Sequence, residues 1–200
     1  TVTCSDIHPT RINSVMDIAI CREILTNLID GCNTLGIEQE NIAHWQAQLD
    51  SLPTYLLDEE GGLKEWAWPT IEENYNHRHV SHHYDVWPGH AITPETEPAL
   101  TEAIIISNRK RGQQDDSAHG IIHRALTAIR LKDMEEAMQN MTQLFNHGFV
   151  RRTLQTSHFP YRGVFPDLQG AVPAFLVEMC VFSEPGTVEL LPAMPDNLMT

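Results

Sequence analysis

Apolar positions Val15, Ile18, Ala19, Leu25, Leu28, Ile29, Cys32 and Leu35 keep the 3.6-residue spacing of a helix, and Gly36 supplies its stop. A second, shorter helix fits Glu38 to Asp50 and ends before Pro53. From residue 53 to 94 the periodicity is lost, and Pro, Gly, Trp and His accumulate instead. Helical spacing returns over Glu95 to Arg109, Asp116 to Leu131 and Asp133 to Phe145. A second irregular stretch, "GFVRRTLQTSHFPYRGVFPDL" at 148–168, precedes a last predicted helix from Gly170 to Phe182. "TVELL" at Thr187 to Leu191 reads as a lone strand with no partner nearby, so its sheet is expected outside the chain. Helix pairs, long loops and almost no strand predict an all-α fold built from helical hairpins, of which an (α/α) toroid is one form.

Composition narrows the partners more than the fold. The 200 residues hold 27 Asp and Glu against 13 Lys and Arg, a net charge of −14. Such a chain repels phosphate backbones and anionic lipid, so neither nucleic acid nor membrane is an expected partner, and neutral or cationic ligands fit better. No apolar run approaches membrane-spanning length, and no signal peptide opens the chain. The chain starts at Thr1 rather than Met, which reads as a piece of something longer. Cys4, Cys21, Cys32 and Cys180 form no CxxC pair and are expected as buried thiols.

The candidate chemistry lies in the two loops. "HRHVSHHYDVWPGH" at 77–90 places five histidines beside Tyr84 and Trp87. His79, His82 and His83 have the i, i+3, i+4 spacing that would gather imidazoles on one helix face for a metal. Pro88-Gly89 follows closely and no flanking acid completes a zinc motif, so no metal is assigned. The alternative is a loop whose histidines bond backbone carbonyls and carboxylates. Trp66, Trp68, Tyr75, Tyr84 and Trp87 could stack on pyranose C–H groups, or could simply pack as an aromatic core. Asp167 stands between an aromatic loop (Phe159, Tyr161, Phe165) and a helix, as a cap or as a carboxylate that acts on, or orients, a base. Asp115 and Asp116 precede "SAHGIIHRAL" as favourable charge at a helix N-terminus. Glu65 of "LKEWAWP" is a further acid candidate, and Ser81 lacks the turn of a serine nucleophile.

"HRHVSHHYDVWPG" resembles the HRH-x-SHLY-x-L-x-PG signature of the inverting α-L-fucosidase family of glycoside hydrolases, family 95. "SVMDIAICREILTNLIDGCNTLG", "LKEWAWP" and "VELLPAMPDNL" resemble other segments of that family in the same order. The resemblance implies that residues 1–186 are the later part of an (α/α)6 catalytic barrel and that 187–200 begin a C-terminal β domain. It implies a carbohydrate partner, a fucosylated glycan or oligosaccharide, with no cofactor and a secreted or periplasmic setting. His77, His79, His82, Tyr84 and Trp87 would then touch the sugar.

In the family a glutamic acid protonates the departing oxygen, while an asparagine amide, polarised by an aspartate, activates the attacking water. Inversion needs space between them for that water. Asp167, eleven residues before Glu178 of "VEMC", matches the spacing of the family aspartate. The acid and the asparagine are expected upstream of this chain, which alone is then expected to be inactive. The chain departs from the family at "DLQGAV" for DGNFGG and at "SHHYDV" for SHLYGL, where His83 and Asp85 are expected to bear on which sugar is accepted.

Overall fold

A computed structural model describes residues 13–111 and 117–195. Its described residues form α1 (Val15–Leu35), α2 (Gln39–Asp50), α3 (Pro98–Lys110), α4 (Ala118–Arg130), α5 (Met134–Asn146) and α6 (Pro166–Cys180), then strands β1 (Val181–Glu184) and β2 (Thr187–Leu190). The mostly helical architecture of hairpins expected from the pattern is the one observed. Cys4, Asp115 and Asp116 lie outside the described residues.

Helix limits follow local chemistry. The Ser14 side chain accepts the Asp17 N–H at the start of α1, and Gly36 ends it in the left-handed conformation with φ 67°. Asp133 likewise accepts the Glu136 N–H to open α5. α6 differs from expectation at both ends. It begins earlier, with Pro166 in its first turn, because proline has no N–H to leave unsatisfied there. It stops at Cys180 because Val181–Glu184 pair antiparallel with Thr187–Leu190. The lone strand therefore has a partner within the chain, across a turn in which Gly186 has φ 86°. The sequence reading extended the helix over that partner.

α4 lies at the centre of one core. Ile121, Ala125, Leu126, Ala128 and Ile129 pack with Ala137 and Leu144 of α5 and with Leu168, Ala171 and Phe175 of α6. α4 and α6 run side by side in the same direction. His119 meets Phe165 at one end, and Arg130 binds Glu178 at the other. α5 returns the chain between these two parallel helices, which is the hairpin geometry of a toroid. A second core joins Val15 and Ile18 of α1 to Leu63, Val86, Ile92 and Ile104. Beyond Ile29 and Cys32, α1 leaves Leu35 71% exposed, and Cys21 and Cys180 are exposed rather than buried.

The 53–94 loop is held to α3 by a buried polar network rather than by regular structure. Arg111, 2% exposed, donates to the Asn74 carbonyl at 2.7 Å, to Glu65 Oε2 at 3.3 Å and to His82 Nδ1 at 3.2 Å. A guanidinium only donates, so Nδ1 of His82 accepts and its Nε2–H donates to Ser107 Oγ at 2.8 Å. Ser107 then offers its own proton to His83 Nε2 at 3.1 Å. Burial, with the neighbouring Arg111 charge, pushes both imidazoles well below their usual range and keeps them neutral.

Ser107→Ala should strip the partner from His82 Nε2 and His83 Nε2 together. At about 1–3 kcal/mol for each buried group left unmatched, we expect a loss of about 2–4 kcal/mol in denaturant unfolding. A change below about 0.5 kcal/mol would show that the pair is not held through Ser107.

Candidate functional site

The two loops meet at the N-terminal end of α4. His158 O accepts the Ala118 N–H at 2.8 Å, which ties the 148–168 loop to the first turn. On the other side, the Arg78 backbone presses against Gly120 so closely that a Cβ built there would lie 2.1 Å from the Arg78 carbonyl oxygen. Only glycine permits that approach. His119, between these two anchors, is thus fixed in position by main chain from both loops.

Around it stands a group of rings. His79 meets His119 edge-on with centroids 5.2 Å apart, and His77 lies 5.2 Å beyond His79. His123, one turn further along α4, is 4.5 Å from His119. Phe165 lies 6.5 Å from His119 and 4.6 Å from His158. Asp167 follows Phe165 in the first turn of α6, exposed, where the helix dipole favours a carboxylate. Its charge reaches His119.

Burial lowers His79 to about 4, with the positive tendencies of His119 and His77 adding to it. Burial, then His119, does the same to His123. His119 is also lowered, by burial first, although the charge of Asp167 works the other way. His79, His119 and His123 are therefore neutral imidazoles at neutral pH, each with one donor and one acceptor nitrogen. His79, His119 and Asp167 make no hydrogen bond with any described residue. That contrasts with His82, whose ring nitrogens are both engaged. Unspent polar groups gathered at one rim can bind a polyhydroxylated ligand and leave a carboxylate facing it.

Of the residues singled out by sequence, His77, His79 and Asp167 come together here, and three others do not. His82 is inside the Arg111 network. Tyr84 donates its hydroxyl to Glu23 of α1 at 2.7 Å. Trp87 packs beside Arg130, 5.0 Å from its guanidinium, at the far end of α4, about 16 Å along the helix from His119 at 1.5 Å per residue. The 53–94 loop thus runs from one end of α4 to the other. The Trp87–Pro88 peptide bond within it is cis.

Asp167 does not cap α6: Phe165 holds the cap position and Asp167 lies inside the first turn. Glu65 is spent on Arg111, and Ser81 reaches Glu65 at 3.4 Å. His83 and Asp85 are buried, the former bonded to Ser107 and the latter accepting the Tyr55 hydroxyl. The i, i+3, i+4 histidines share no helix face, since only Ser81–His83 form a single 3-10 turn. Of the aromatic set, Trp66 is buried, Tyr75 is bound to Asp58 and Trp68 is 40% exposed. Sequence reading missed His119, His123, His158 and Gly120. The His119–His123 spacing of four residues in a predicted helix was the available signal.

Residues 3–184 match the family model described as the glycosyl hydrolase family 95 catalytic domain. The chain is also similar to Alpha-L-fucosidase 2 of Arabidopsis thaliana, 30% identical over 194 residues that cover 92% of this chain and 22% of that protein. It therefore spans about a fifth of the length of this curated relative.

Two outcomes follow from this geometry. Gly120→Ala must force α4 away from the Arg78 carbonyl, so we expect a loss of about 1–3 kcal/mol or more in thermal unfolding. Wild-type stability would contradict the close approach. The second concerns pH. His79 and His123 have folded pKa values of about 4 against 6.5 for the free side chain, so the unfolded chain binds protons first. Their contribution is complete above pH 6.5 and is lost as pH falls from 6.5 towards 4. Denaturant midpoints taken across that window should drop with acid, and His79→Gln should flatten the slope.

Proposed function

The chain belongs to the glycoside hydrolase family 95 catalytic domain, and from that premise we propose that the intact protein hydrolyses α-L-fucosides, or a related sugar such as an L-galactoside, with inversion. One observation carries the reading: His77, His79 and Asp167 converge on one rim, and both His79 and Asp167 keep their polar groups uncommitted to described residues. The similarity to a protein named an α-L-fucosidase supports the choice of sugar.

In this reading His77 and the neutral His79 exchange hydrogen bonds with glycone hydroxyls. Neutral imidazole suits the task because it can both donate and accept a hydrogen bond at fixed geometry, with no charge to be desolvated when sugar covers it. Asp167 polarises the amide of an asparagine contributed from outside these residues. That amide then activates a water for attack on the anomeric carbon, opposite the departing oxygen. A glutamic acid, also outside these residues, protonates that oxygen. Asp167 suits this role because no lysine or arginine among the described residues neutralises it.

Asp167→Asn in the intact protein tests the assignment. The role requires the negative charge, so kcat on a nitrophenyl α-L-fucoside should fall at least a hundredfold, roughly 2.7 kcal/mol. The melting temperature should hardly move, because Asp167 caps nothing and loses only a weak dipole interaction. Unchanged kcat would remove Asp167 from the chemistry. A wild-type protein that binds L-fucose but turns over no fucoside would be a carbohydrate-binding relative instead.

A further inference from the structure

We propose that His119 is a further sugar-binding residue, whose imidazole between His79 and the Asp167 turn holds one glycone hydroxyl and so helps to decide which L-sugar is accepted. This rests on the fucoside reading above and adds to it a residue outside the histidine motif.

Three observations carry it. First, His119 is held on several sides by rings, His79 at 5.2 Å, His123 at 4.5 Å and Phe165 at 6.5 Å, so its ring plane is set by packing. Second, its backbone is clamped: the neighbouring Ala118 N–H is bound to His158 O, and Gly120 lies against Arg78 O. A side chain placed this firmly has little rotamer freedom to lose on binding. Third, no described residue accepts from or donates to its nitrogens, although it is half-buried.

A core histidine of this chain looks different. His82 and His83 are almost fully buried and are bonded to Ser107. A surface histidine would lack the packing. His119 has the packing of the first and the open valence of the second. Burial, His158 and Arg78 keep it neutral against the opposing charge of Asp167. Neutral imidazole pairs with a hydroxyl in either sense, whereas an imidazolium could only donate. The charge of Asp167 reaches His119, so a hydroxyl held there would lie towards Asp167, and His119 would help to align the sugar for attack.

His119→Phe in the intact protein keeps an aromatic ring and removes both nitrogens, and His119→Gln restores a donor and an acceptor. Calorimetric titration with free L-fucose and L-galactose, run beside thermal melts, reads the result. We expect His119→Phe to weaken sugar binding at least tenfold, His119→Gln to recover most of it, and both melting temperatures to stay near wild type. Unchanged affinity in His119→Phe would overturn the proposal. So would an equal loss in both variants accompanied by a matching fall in melting temperature, which is the mark of a packing role. If the wild-type protein binds neither sugar, the fucoside reading fails, and this inference fails with it.

Discussion

The buried guanidinium of Arg111 is the interaction that the rest of the arrangement depends on. It stands at the end of α3 and reaches three separate points of a long loop: the Asn74 carbonyl, Glu65 and His82. Its own carbonyl accepts from Arg124 of α4 at 3.1 Å. One residue, through its side chain and its own carbonyl, thus ties α3, α4 and the irregular 65–82 segment together. Desolvating a charge is costly, and removing one partner of a buried pair typically costs about 3–5 kcal/mol. The loop, which forms turns and isolated bridges but no long helix or strand, is therefore anchored by this network.

That anchoring explains the division of labour within the histidine motif. The second pair, His82 and His83, turns inward and satisfies Ser107 and Arg111. The first pair, His77 and His79, is then presented at the rim against α4. Neighbours in sequence serve opposite purposes because the 3-10 turn at Ser81–His83 redirects the chain between them. Gly120 completes the arrangement from the other side by letting the Arg78 main chain reach the first turn of α4.

At the opposite end of α4, Arg130 performs a comparable service without serving the site. It binds Glu178 of α6, donates to His90 Nδ1 at 2.8 Å, and lies over the Trp87 and Phe182 rings. α4 and α6 are so fixed to each other at both ends, and the cluster at the N-terminal rim inherits that rigidity. Asp167 and Glu178, eleven positions apart on one helix, consequently belong to different environments, one an open carboxylate and the other a consumed ion pair.

The chain's own pattern determined the helices, because helical spacing, capping serine and aspartate, and Gly36 act within a few residues of one another. It also marked 77–90 and Asp167 as chemistry-bearing positions, since residue type and motif are local facts. Which imidazole is engaged inside the protein and which is left unbonded was decided only by tertiary contact. His79 and His82 are the same residue three positions apart, and what separates them is Ser107 and Arg111, brought in from α3. His119 and Gly120 lay inside an apparently ordinary amphipathic helix, and only the approach of Arg78 and Phe165 gives them meaning. The β1 partner of the final strand was hidden for the same kind of reason. A short stretch such as "VFSE" can extend a helix or pair as a strand, and the choice was made by Thr187–Leu190 folding back across a glycine turn.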